Sequence, residues 1–510
     1  MALSEGIVIP RWDPFRCGGF GCPNFIYMYT LPYYFVSIFH FLGFSFIASL
    51  KLLLAISFIL SGIGMYFLAK SLGGEKAGLV AGILYLYAPY HLSDLHFSSD
   101  IGEMLAFTIL PFTLLLVKYV IESKKLEWIF LLALSLLLLI LSHHVILISS
   151  LPLILGFSAV NLFWLSKKSQ RFAILKRLCL AFILGILFST FYWLPILTES
   201  SLIYWGKYGT VSFIEPISMF FVSPWRYGFL FQGPKGQLSF IIGYVHLILI
   251  AAAAIVLIKN FSLRNKIKNQ YYYLLLFFCL TLAYFFFMMK VSDSLWQIIP
   301  LIKKFQFSYR LLILIAFTSS VLAGLLLRNS KNIIIWILLL LAITSTILNW
   351  GNRRTIPEID DSYLINELML REPLHHMTVP VAVRQDTIDV SMRPLPRLEA
   401  VTGEPKIVST LIMSTLQNYT ITTAQTSTVK ANTFFYPGWS ATLNGSPIEI
   451  KTTQGNQSGM MFFIIPAGTH ELSLSFSDTF TRKAGDFISF ISISTAFYFL
   501  VIRGKKLRSK

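Results

Sequence analysis

Three acids, Asp94, Asp100 and Glu103, and two imidazoles, His91 and His96, fall between Pro89 and Glu103. One apolar run ends at Tyr90, and another begins at Ile101. Carboxylates beside a bilayer core cost free energy unless they face water, a partner or a substrate. The cluster therefore predicts a site at the mouth of a helical bundle. Carboxylates there can take a proton from a hydroxyl, hold a cation or orient a polar ligand. A structural reading stands beside it: a solvated turn in which Asp100 caps the next helix, with Glu103 three residues later.

The composition supplies the helices that must hold these residues. The 510 residues are 55% hydrophobic and 13% charged, with mean hydropathy +0.68. Ordinary globular domains carry roughly a quarter charged residues. A polytopic α-helical membrane protein is predicted. The net charge of +18 does not imply nucleic acid, because Lys and Arg cluster in short connections between apolar runs. A span takes about 20 apolar residues. About eleven runs are read as spans: 47–70, 77–90 (short), 101–121, 127–143, 145–165, 174–197, 238–258, 271–290, 309–328, 332–350 and 486–503. Connections rich in Lys and Arg, such as Lys118 to Lys125 and Lys167 to Arg177, alternate with poorer ones: 91–100, His143–His144, 198–237, 291–308 and 351–485. The basic class is expected on the cytoplasmic side, which puts Asp94, Asp100 and Glu103 outside.

Residues 25–46 are aromatic and interrupted by Pro32 and Gly43, so they read as a span or as a helix lying in the interface. No basic segment followed by an apolar one opens the chain, so no signal peptide is read. An outer start without one leaves two expectations. Either 25–46 is the first span and Arg11 and Arg16 are cytoplasmic, or a segment precedes Met1; we favour the second. Cys179 and Cys279 read as packing residues. Cys17 and Cys22 frame Gly18 to Gly21 and read as a small disulfide of an exported segment or as two free thiols.

After Trp350 the apolar runs shorten and Ser and Thr become frequent. Leu411–Thr423 reads as a half-buried strand. Asn444-Gly445, between Ser440–Leu443 and Ile448–Lys451, signals a hairpin. Met460–Ile465 and Glu471–Phe476 add two strands, and Ser362–Arg371 a short helix. Four segments follow. Residues 1–46 form an outer loop with an interfacial helix, and 47–350 the multi-span domain. Residues 351–485 form an extracytoplasmic β-sandwich, and 486–510 a membrane anchor with a basic tail.

Several motifs occur together: Pro10-Arg11-Trp12-Asp13-Pro14, Gly18-Gly19-Phe20-Gly21-Cys22-Pro23, Tyr87-Ala88-Pro89-Tyr90-His91 with Asp94 and Glu103, Ser142-His143, Trp193-Leu194-Pro195 with Glu199, and Gln306-Phe307-Ser308-Tyr309-Arg310. In this order the chain resembles the bacterial membrane proteins labelled 6-pyruvoyl-tetrahydropterin synthase-related. Tyr436-Pro437-Gly438-Trp439 and Pro466 to His470 are similar to the outer domain of wall-polymer glycosylation proteins. The label does not imply pterin chemistry, which needs a three-histidine zinc site; the histidines here are scattered, without zinc spacing. The topology instead resembles the GT-C glycosyltransferases.

That resemblance implies transfer of a sugar from a polyprenyl-phosphate donor to a cell-surface glycan, lipid or protein acceptor at the outer face. Asp94 and Glu103 match the family's second acidic motif. Its first acidic position, after an initial span, is not represented; Asp13 is the nearest acid and lies downstream of it. The catalytic candidates are therefore Asp94, Glu103 and Asp13. His91, Asp100, His143, Glu199 and Arg310 are candidates to bind substrate, with Arg310 facing the lipid phosphate. A divalent cation is compatible with the acids. Two other readings compete: a lipid or polysaccharide transporter, for which mid-span His246 speaks, and a non-catalytic envelope-assembly protein.

Overall fold

The computed structural model describes residues 1–205, 217–222, 239–260, 268–298, 305, 307–346, 359–365, 378–383, 396–454 and 457–508. The chain forms two compact units. One comprises Met1–Met28, Thr190–Gly209 and Ile356–Phe490; the other comprises Tyr29–Ser189, Thr210–Thr355 and Ile491–Lys510.

Among the described residues, six helices are long and apolar enough to cross a membrane. They are Phe46–Gly73, Ile101–Glu122, His144–Leu165, Asn269–Met288, Ser308–Leu327 and Phe480–Ile502. A seventh arises if the bent pair Lys168–Phe188 and Thr190–Leu202 is one span. Leu126–Ser142, Tyr244–Lys259 and Asn332–Ser345 are apolar helices of 10–17 residues, and Glu75–Leu86 has 12. At about 1.5 Å per residue, about 17 residues cover about 25 Å, short of a hydrocarbon layer about 30 Å thick. Of the expected spans, about eleven, six or seven reach that length among the described residues.

Within the larger helical unit, every residue from Leu312 to Leu325 is buried, which marks the helix at its centre. Leu110, Phe107, Phe157, Phe277 and Phe317 share the main core with it. The central helix begins just after Arg310, so the best-packed element of the unit fixes that side chain. Leu31–Phe41 is an 11-residue helix with Pro32 in its first turn. It is too short to span, and Phe35, Ile38 and Phe41 are exposed on it.

Among the described residues, the other unit contains nine strands in two antiparallel sheets. The strands are β1 (Leu398–Thr402), β2 (Lys406–Ile412), β3 (Leu416–Thr423), β4 (Ser427–Phe434), β5 (Trp439–Leu443), β6 (Ser446–Pro447), β7 (Lys451–Gln454), β8 (Gln457–Ile465) and β9 (Gly468–Phe476). The orders are β1-β4-β8-β7 and β2-β3-β9-β5-β6. Alternate residues Tyr419 and Ile421 of β3 and Leu472 and Leu474 of β9 share one core with Val429, Ala431, Met461 and Phe463 of the other sheet. Leu411–Thr423 is two strands rather than one, because the chain reverses at Met413, whose N–H donates to Leu416 O at 2.8 Å. The Asn444-Gly445 turn has the expected positive φ at both residues, 49° and 80°. Its return strand stops at Pro447, which has no N–H to extend the ladder; Lys451 then opens β7 in the four-stranded sheet. Of the expected helix Ser362–Arg371, residues 366–371 lie outside the described residues, and Asp361–Tyr363 is a single turn. Residues 1–28 pack in this unit too: Trp12 lies edge-on to Trp439 at 5.4 Å, and Cys17 and Cys22 form a disulfide.

Candidate functional site

The acidic stretch folds as two short pieces and a cap. Pro89 opens a helix, Pro89–Ser93, its ring occupying a position that has no helical N–H partner to lose. The chain continues as a widened turn, Asp94–Ser98, which Ser99 ends with φ 49°. Asp100 then caps Ile101–Glu122, its Oδ1 accepting from Gly102 N at 2.9 Å and Glu103 N at 3.1 Å. Tyr29 OH donates to the same oxygen at 2.9 Å. The capping reading holds for Asp100, and the residue also belongs to the cluster. Gly102 allows the helix to start here: a Cβ would lie 2.5 Å from Ser142 O and 2.6 Å from the Tyr29 ring.

Glu103 is buried and held from two sides. Its Oε1 accepts from Arg310 Nε at 2.7 Å, and its Oε2 from Tyr90 OH at 2.8 Å. Arg310 also stands 3.8 Å from Asp100 Oδ2. Its guanidinium lies 5.2 Å from the Phe307 ring centre, and Tyr309 stacks between Phe307 at 5.0 Å and Phe240 at 4.5 Å. Asp94 is 1% exposed. Its Oδ1 accepts from the Ser98 hydroxyl, and its Oδ2 has no hydrogen-bond partner among the described residues. Burial first, then the nearby Glu103 and Asp100, pushes the Asp94 carboxyl well above the usual range. Asp94, Asp100, Glu103, Arg310, Tyr90 and Tyr309 line a common cavity of about 40 Å³. A polar space of that size admits water or an ion; a sugar requires it to open.

The remaining candidates are placed differently. His91 is buried and does not line the cavity; it stacks on Phe107 at 3.9 Å, with Nδ1 2.9 Å from Tyr85 O. His143 caps the helix starting at His144, with Nδ1 accepting from Ile146 N at 3.4 Å, and stacks on Tyr29 at 4.9 Å. One ligand atom each from Asp100, Glu103 and His143 lie within 4.8 Å of one another, the grouping with metal-ligand spacing among the described residues. Glu199 and Asp13 belong to the other unit. The buried Glu199 carboxylate accepts from Arg482 at 2.8 and 3.0 Å, Tyr436 OH at 3.1 Å and Thr479 at 3.1 Å. Asp13 accepts from Phe15 N, Arg16 N and Asn24 at 3.1, 3.3 and 3.4 Å, bonds that hold the turn around the disulfide. His246 pairs with Ser319 Oγ at 2.8 Å inside the bundle, as a core histidine does.

Sequence reasoning missed Tyr29, Ser98, Ser239 and Phe240. Ser98 carried a usable signal, since a residue four positions after Asp94 returns to its side of a helical turn. Phe240 and Tyr29 carried none, because only tertiary packing brings them in.

The apolar helices and the buried acid–arginine cavity define a helical membrane protein with a polar site among its helices. Residues 25–352, well over half the chain, match the family described as a 6-pyruvoyl-tetrahydropterin synthase related domain, a membrane protein. The chain belongs to that family. No curated protein and no solved structure matches it.

Proposed function

We propose that this chain is an integral membrane glycosyltransferase. It moves a sugar from a polyprenyl-phosphate donor to a cell-surface glycan, lipid or protein acceptor at the outer membrane face. One observation carries the reading: Asp94, Asp100, Glu103 and Arg310 meet at one cavity, where Asp94 keeps a buried oxygen without a partner among the described residues. The acceptor hydroxyl attacks the anomeric carbon and gives its proton to Asp94. The bond from that carbon to the phosphate oxygen breaks, and polyprenyl phosphate leaves with the electron pair. A carboxylate at this place takes the proton as the new bond forms. Arg310 offsets the leaving charge through paired hydrogen bonds; it turns from Asp100, the longer contact, and keeps Glu103. The cavity widens as the donor enters.

The Cys17–Cys22 disulfide supports an outer position for the unit that holds the sheets, since such bonds persist in oxidising compartments. The test is a photoreactive polyprenyl-phosphate sugar presented to the full chain in lipid nanodiscs. Labelling is expected on peptides containing residues 90–103 and 307–310, and unlabelled donor should compete. Labelling spread over lipid-facing helices, without competition, would count against a donor site here.

A further inference from the structure

Beside the proposed reacting centre, His143 places a second kind of ligand atom next to the acids. Its Nε2 is buried and has no hydrogen-bond partner among the described residues. We propose that Asp100, Glu103 and His143 bind a divalent transition cation of the Mn²⁺ or Zn²⁺ type. Four features support this.

The spacing fits. The three ligand atoms lie within 4.8 Å of one another, and atoms bound to one ion at about 2.1 Å sit about 3–4 Å apart. A contraction of about 1–2 Å closes the site.

The charge fits. Asp100 and Glu103 bring two negative charges against the one positive charge of Arg310, and Asp94 stands next to them. Buried acids in excess are relieved by protons or by a cation.

The ligand set fits as well. One imidazole with two carboxylates suits Mn²⁺ or Zn²⁺ better than Ca²⁺ or Mg²⁺, which favour oxygen alone.

The supports are already in place. Gly102 N, Glu103 N and Tyr29 OH all hold Oδ1 of Asp100, which leaves Oδ2 for the ion. Tyr90 orients Glu103, and Tyr29 stacks on the His143 ring; such outer contacts fix the ligands. Binding has a definite proton requirement. A ring ligating through Nε2 carries its proton on Nδ1, so the long 3.4 Å contact from Ile146 N is given up.

The inference does not depend on sugar transfer, because binding is read without turnover. The full chain, stripped with a chelator and placed in nanodiscs, is titrated with Mn²⁺. Free Mn²⁺ is followed by electron paramagnetic resonance, and pulsed spectra report nitrogen coupling. One Mn²⁺ per chain is expected, displaced by Zn²⁺ and showing coupling to one imidazole nitrogen. His143→Asn keeps an acceptor for Ile146 N, so its fold is preserved. It should weaken binding at least tenfold and abolish the coupling. Absence of stoichiometric Mn²⁺, or affinity and coupling unchanged in His143→Asn, would overturn the site. Mn²⁺ binding without any transfer activity would overturn the transfer reading alone.

Discussion

Asp94, Asp100 and Glu103 are chemically alike and differ in what their surroundings leave open. Glu103 is taken up by Arg310 and Tyr90, and Asp100 by the helix start and Tyr29. Asp94 alone among the three has a fully buried oxygen with no hydrogen-bond partner among the described residues. Its raised carboxyl has a consequence for stability. Below the ordinary carboxylate value of about 4, Asp94 is protonated whether the chain is folded or unfolded. As pH rises, the unfolded chain releases the proton first, so the wild type loses stability up to the folded value. Asp94→Asn lacks this loss. In thermal unfolding of the purified chain, the variant should gain on the wild type as pH rises from about 4 toward neutrality. A constant difference across that window would show an Asp94 that ionises normally.

At the scale of elements, the site depends on how closely the Ile101–Glu122 helix approaches the turn at His143. Gly102 sets that approach, since a Cβ there would meet Ser142 O at 2.5 Å and the Tyr29 ring at 2.6 Å. Overpacking of this kind costs about 1–3 kcal/mol. Gly102→Ala should lower the midpoint of thermal unfolding and reduce transfer, whereas Gly156→Ala, with its nearest neighbour at 3.1 Å in a flexible Leu276 side chain, should be milder. Equal effects would remove the close approach as the cause. Much of this element was legible: the polar island between two apolar runs and the Asp100 cap follow from residue type and spacing, whereas the pairing of Arg310 with Glu103, 207 positions away, does not. The span count was not. Composition marks an apolar run, but caps and breaks such as Gly74, with φ 89°, decide whether the helix is long enough to cross.

At the scale of the whole molecule, the alternation of Asn444-Gly445 and the flanking strands was legible, because hairpin chemistry is local. Glu199 was not. Its motif reads as a binding residue, yet its carboxylate meets Arg482, 283 positions away, with Tyr436 and Thr479. A pairing at that distance leaves no trace in local spacing. The proposed outer position of the sheet unit is open to labelling. A cysteine introduced at the exposed Asn444 should react with a membrane-impermeant maleimide in intact cells. Reaction only after lysis would reverse the orientation read from the basic connections.

The most direct measurement is transfer itself, with the purified full chain in nanodiscs, short-chain polyprenyl-phosphate sugars and envelope acceptors. The wild type should release polyprenyl phosphate in step with glycosylated acceptor. Asp94→Asn, still folded by its unfolding profile, should be slower by about 10²-fold or more. Transfer by Asp94→Asn at the wild-type rate would contradict the assignment of the reacting centre to this cavity.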